Sequence, residues 1–181
     1  MNLAGYILRR RGWKFEIQCE LPSRGVVCVA PHTSNWDFIL GELAIRSVGK
    51  TAGFLMKSTW FFFPLGVLLR AIGGIPVSRR RHTNVTAGVV ESFHKRDSLL
   101  VAVTPEGTRS ANANWHKGFL FIAREAKVPV ILGCIDYKRR LVSLEQLFTP
   151  GDDPDSDLAA IKRYYAGRGD AARFPEKFVI E

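Results

Sequence analysis

A chain of 181 residues is long enough for one domain with a sizeable core, and a composition 46% hydrophobic and 24% charged excludes a disordered polymer. The net charge of +9, from 26 Lys and Arg against 17 Asp and Glu, suits anionic partners: phosphorylated substrates, an anionic membrane surface or nucleic acid. No apolar run reaches the about 20 residues needed to cross a bilayer, and no signal peptide is read, because Arg9-Arg10-Arg11 follow the first apolar stretch instead of preceding it.

Residues 1–12 combine Leu3, Tyr6, Ile7 and Leu8 with three arginines. They read either as a short helix lying on a membrane surface or as a frayed, solvated terminus. Trp13, Phe15, Ile17 and Cys19 alternate with polar residues and predict a half-buried strand. Val26 to Ala30 is a continuous apolar run and predicts a buried strand. It feeds Pro31-His32-Thr33-Ser34-Asn35-Trp36-Asp37-Phe38. Pro31 breaks any helix ahead of His32, so the histidine belongs to a turn. Ser34 is placed to cap a helix whose apolar positions run from Phe38 to Ile45, with Asp37 three residues on. On a continuous helix His32 and Asp37 would face different ways. With the histidine in the turn and the aspartate in the first helical turn, their side chains can meet. A carboxylate on one ring nitrogen fixes the tautomer and leaves the other nitrogen as a base. The plainer alternative is that Asp37 only caps and His32 only fills a loop.

Thr51 to Met56 predicts the next strand. Gly49-Lys50-Thr51 is not a phosphate-binding P-loop, because Ala44 stands where the first glycine belongs and the preceding segment is helical. Trp60 to Leu69 is the most apolar run. It reads as core, or as a lip that meets lipid or an acyl chain; its three adjacent phenylalanines cannot all face inward, so at least one ring points out. A short strand over Ile75–Val77, the basic run Arg79-Arg80-Arg81-His82 and a helix from about residue 84 to 95 follow.

Leu99 to Val103 is a second strand-like run that ends in a charged turn, Thr104-Pro105-Glu106-Gly107-Thr108-Arg109-Ser110. Ligands gather at such strand exits in open α/β sheets. Asn114 to Phe119 leads into a helix through about Ala126, Val130–Ile135 predicts another buried strand, and Tyr137-Lys138-Arg139-Arg140 a hairpin turn before Leu141–Leu144. Leu158, Ile161, Tyr164 and Tyr165 repeat at helical spacing. Cys19, Cys28 and Cys134 show no close pairing, which predicts buried free thiols in a reducing cytoplasm. His116 has no metal-ligand spacing, and no metal site is expected. Strands alternate with helices without repeat or linker, so we expect a single α/β domain over residues 1–181, with a mixed, mostly parallel sheet flanked by helices.

Four blocks in order, His32-Thr33-Ser34-Asn35-Trp36-Asp37, Gly74-Ile75-Pro76-Val77-Ser78-Arg79, Pro105-Glu106-Gly107-Thr108-Arg109-Ser110 and Val128-Pro129-Val130-Ile131, resemble the glycerolipid acyltransferase family, whose best-known member is lysophosphatidate acyltransferase. Pro31, Thr104 and Gly133 depart from the residues usual there. The resemblance implies transfer of a fatty acyl group from acyl-coenzyme A or acyl carrier protein to the hydroxyl of a lysophospholipid or similar lyso-lipid. It makes His32 the base and Asp37 its orienting partner, with backbone N–H groups after His32 as candidate oxyanion donors. Arg79, Glu106, Gly107, Thr108, Arg109 and Lys117 become the acceptor-binding set. A thioester is already activated, so no cofactor is expected beyond that co-substrate. The location implied is cytoplasmic, peripheral on the inner face of an anionic membrane, with no nucleic acid as partner. The competing class is a non-catalytic basic module binding membrane or nucleic acid, which gives no reason for a histidine and an aspartate at a strand exit.

Overall fold

The computed structural model describes residues 2–77 and 82–181. Seven strands form one sheet in the order β1-β7-β6-β2-β5-β3-β4. These are β1 (Lys14–Ile17), β2 (Arg24–Val29), β3 (Ala52–Lys57), β4 (Gly74–Val77), β5 (Leu99–Val103), β6 (Val130–Asp136) and β7 (Leu141–Phe148). Every pairing is parallel except β6 with β7, which a tight turn joins as a hairpin. The mixed, mostly parallel sheet expected of the alternating pattern is thus present. Central strands β2, β5 and β6 are apolar on both faces because helices cover both faces.

One face packs against α4 (His82–His94), α5 (Gly118–Glu125) and α6 (Pro154–Ala166), in a core that includes Val26, Cys28, Phe93, Val101, Leu120, Leu132 and Ile161. The other face carries α2 (Asn35–Ser47), with α1 (Leu3–Arg10) laid against it, over Val27, Leu100, Ile131, Ile135 and Val142. Residues 3–10 are therefore helix and not a frayed end: Leu8 is buried between α2 and the sheet edge, while Asn2 caps the helix and donates to the Arg46 carbonyl at 2.6 Å. Helix α3 (Leu65–Ala71) takes only part of the Trp60–Leu69 run. Phe62 and Phe63 point outward, as three adjacent rings require.

Strand β1 is shorter than its alternation suggests. It pairs only with β7, at the sheet edge, and Ile17 there is exposed instead of half-buried. All three cysteines are free, with Cys28 and Cys134 buried and Cys19 partly so. At the top of the sheet, the buried Tyr165 hydroxyl of α6 donates to the carbonyls of Cys28 at 2.8 Å and Gly133 at 3.0 Å, tying β2 to β6 where the β6 register shifts. Gly133 is required there: a Cβ would stand 2.9 Å from the Ser143 carbonyl oxygen. No described helix is long and apolar enough to cross a membrane.

Candidate active site

β2 and β5 are neighbours in register, with Cys28 opposite Val103, so the turns that follow them leave the same sheet edge side by side. His32 and Glu106 thereby meet: the His32 backbone N–H donates to Glu106 Oε1 at 2.9 Å. The two turns were read from separate parts of the sequence, and the sheet brings them together.

Asp37 lies in the first turn of α2, only 4% exposed, and Ser34 caps that helix as expected. The capping box and the His32–Asp37 pair share one carboxylate. Asp37 Oδ2 accepts from the backbone N–H of Thr33 and of Ser34, each at 2.9 Å, and also sits 3.0 Å from His32 Nδ1. Its other oxygen, Oδ1, accepts from the Tyr137 hydroxyl at 2.6 Å. The Asp37 side chain leaves His32 Nε2 without a protein partner among the described residues. Of the N–H groups after His32, those of Thr33 and Ser34 are turned back onto Asp37 by the cap geometry and that of Trp36 onto Ser34 Oγ; none of these bonds takes the Asn35 N–H at the helix start.

Glu106 is also 4% exposed. Its Oε2 is buried with no hydrogen-bond partner among the described residues. Burial, opposed by the His32 N–H, raises its carboxyl to about 7. Gly107 takes a left-handed backbone, φ +66°, and packs against His116 so closely that a Cβ would lie 2.4 Å from the ring. Thr108 Oγ1 accepts from the Ser110 N–H at 3.3 Å, and Arg109 donates to the Asn35 side chain at the start of α2. Lys117 is drawn outward into an ion pair with Asp155 on α6, away from the cavity lining. Arg79 lies outside the described residues.

His32, Asp37, Gly107 and His116 line one end of a cavity of about 540 Å³ between α2 and the sheet. Its walls are otherwise mostly apolar, from Phe38 and Phe54 near the site to Phe15, Ile45 and Leu144. Its volume is that of a small-molecule pocket. Sequence periodicity gives no sign of this space; Gly41, a glycine in mid-helix, is on its wall, where a Cβ would meet nothing within 4 Å. A second, polar cavity at the opposite sheet edge includes Gly49, Lys50, Thr51 and Arg96. These follow the C-termini of α2 and α4, whose carbonyl ends attract cations, not phosphate. Among the described residues no group of three or more His, Cys, Asp or Glu side chains is placed to hold a metal.

A family model for acyltransferases matches residues 13–135, and no curated protein matches the chain significantly. Sheet, helices and match define an α/β acyltransferase enzyme domain. The chain belongs to the acyltransferase family that contains the glycerolipid enzymes, lysophosphatidate acyltransferases among them.

Proposed function

We propose that the protein moves a fatty acyl group from acyl-coenzyme A or acyl carrier protein to the hydroxyl of a lysophospholipid or similar lyso-lipid, in the manner of a 1-acylglycerol-3-phosphate acyltransferase. The observation that carries this reading is an imidazole bonded through Nδ1 to a buried carboxylate while lining an apolar cavity of about 540 Å³. The cavity offers an acyl chain about 0.8 kcal/mol for each buried methylene.

His32 Nε2 takes the proton of the acceptor hydroxyl as its oxygen attacks the thioester carbonyl carbon. Asp37 holds the ring in one tautomer and stabilises the imidazolium. The tetrahedral intermediate collapses with cleavage of the carbon–sulfur bond, and the imidazolium returns its proton to the departing thiolate. No protein nucleophile is required, because the acceptor supplies the hydroxyl. Arg79 and Arg109 hold the acceptor's anionic head, Arg109 from the same turn as Glu106. Glu106 fixes the His32 backbone. The enzyme works at the inner, cytoplasmic face of an anionic membrane.

The test is release of free thiol from acyl-coenzyme A and from acyl carrier protein, across lysophosphatidate, other lysophospholipids and lyso-ornithine lipid as acceptors. Acceptor-dependent release is expected, abolished in His32→Ala with an unchanged circular dichroism spectrum. A His32→Ala protein that transfers at near-normal rate rejects the mechanism.

A further inference from the structure

The turn carrying His32 leaves the central strand β2, and both neighbouring strands send a side chain into it. From β5 comes Glu106. From the opposite side, the turn after β6 brings Tyr137, whose hydroxyl meets Asp37 Oδ1 at 2.6 Å. Tyr137 is 100 residues from Asp37 in sequence and lies beyond residues 13–135, the part of the chain that the family model matches.

We propose that Tyr137 is a positioning residue of the acyl-transfer reaction: its hydroxyl fixes Oδ1 of Asp37, so that Oδ2 stays directed at His32 Nδ1. The inference rests on the proposed role of His32 and Asp37.

The two backbone N–H groups and the His32 ring all act on Oδ2. They seat that oxygen but leave the carboxylate plane free to tilt about it, which turns the Oδ2 lone pair off the imidazole. A donor on the other oxygen removes that freedom. Tyr137 supplies that donor. Burial, and then the bond to Asp37 itself, push its hydroxyl far above the ordinary phenol range, so it remains protonated and can only donate to the carboxylate.

The ring is itself held on several sides. Trp13 packs edge-on, with centroids 5.2 Å apart. The Tyr137 backbone N–H donates to the Ala171 carbonyl at 2.8 Å. Beyond Ala171, the Arg173 guanidinium lies 6.0 Å from the Tyr137 ring centroid and donates to Ser34 Oγ at 3.3 Å, and the Phe174 N–H donates to Thr33 Oγ1 at 3.2 Å. The C-terminal segment thus seats the phenol and the His32 turn together. A tyrosine that served only to fill space would need neither this aim nor a partner on Asp37. The other titratable or charged groups near the pair are Glu106, on the β5 side, His116, at the same end of the cavity, and Arg173, beside the Tyr137 ring.

Tyr137→Phe keeps the ring, its packing on Trp13 and the backbone bond to Ala171, and removes only the hydroxyl. We expect kcat to fall by about 10- to 100-fold, with KM for donor and acceptor within about twofold of the parent. With the phenol gone, Asp37 is no longer held on His32 Nδ1 and stabilises the imidazolium less. The acid limb of the kcat/KM profile therefore moves to lower pH. A readout that needs no substrate is acylation of His32 by diethylpyrocarbonate, followed as the difference from His32→Ala, whose pH dependence moves the same way. Wild-type kcat in Tyr137→Phe, or a loss of activity with both pH curves unmoved, overturns the inference. Failure of the function reading looks different: no acceptor supports transfer by the parent, or His32→Ala remains active, whatever the reagent shows at Tyr137→Phe.

Discussion

Burial makes Glu106 a different acid from an exposed glutamate. In the unfolded chain its carboxyl titrates near the ordinary 4.5; folded, burial raises it to about 7. The folded state therefore binds an extra proton between those values, and stability falls as pH rises through that window. The loss is complete above the folded value and amounts to about 3 kcal/mol for one group, at about 1.4 kcal/mol per pH unit. Glu106→Gln keeps an acceptor for the His32 N–H and cannot ionise. Urea unfolding of the two proteins between about pH 5 and pH 8 should show the parent losing stability relative to the variant, with most of the change between the two carboxyl values. A stability difference that is constant across that range would mean Glu106 is not held neutral by its surroundings. Ionised, Glu106 binds the His32 N–H more strongly; neutral, it costs the fold less. Gly107 beside it is fixed by two independent demands, a left-handed backbone and the face of His116.

Among the elements, α2 does most to shape the site, because its first turn holds Asp37 and its underside roofs the cavity. Gly41 lines that cavity, and a Cβ there would meet nothing within 4 Å. Gly41→Ala should stabilise the helix by up to about 1 kcal/mol through propensity alone. Gly41→Phe should fill the space instead. Donors with short acyl chains would keep most of their rate and donors with long chains lose about tenfold or more, measured as kcat/KM over a chain-length series. An equal loss at every chain length would place the acyl chain elsewhere. The strands, the cap at Ser34 and the two strand-exit turns were legible in the sequence, because apolar runs, proline and capping residues act locally. The rest was set by partners far along the chain. Lys117 is claimed by Asp155 and Asp37 by Tyr137, neither of which any local spacing reports. A helix start offers free N–H donors, but here the carboxylate in the cap takes those of Thr33 and Ser34, which a capping pattern does not report. The cavity was invisible because it is a gap between a helix and a sheet, and sequence pattern reports which residues are apolar but not how far apart two apolar surfaces stand.

On the scale of the whole molecule, large apolar side chains remain exposed. Phe63 is 87% exposed and Leu3 74%, and Phe62, Val67 and Leu68 on and before α3, Tyr6 on α1, and Trp36 and Ile39 on α2 are also exposed. Trp36 and Ile39 lie on α2, the helix whose Phe38 and Gly41 line the cavity, and Leu3 and Tyr6 lie on α1, which packs against α2. A lyso-lipid acceptor that had to cross water would lose about 0.8 kcal/mol for every methylene exposed on the way, which a protein seated in the lipid surface avoids. At the proposed anionic membrane, the net charge of +9, with Arg9 and Arg10 in the last turn of α1 and Arg11 next to it, would add attraction to headgroups of about 1 kcal/mol per cation near the surface. The two contributions separate by salt. Co-sedimentation with phosphatidylglycerol vesicles should be weakened at low salt by replacing Arg9, Arg10 and Arg11 with glutamine, and the deficit should shrink as salt rises. Replacing Phe62, Phe63 and Val67 with serine should weaken binding at every salt concentration, and should barely change the melting temperature, since these side chains contribute little to the core. Equal binding by the serine variant and the parent at all ionic strengths would remove the lipid surface as the reason these rings face outward.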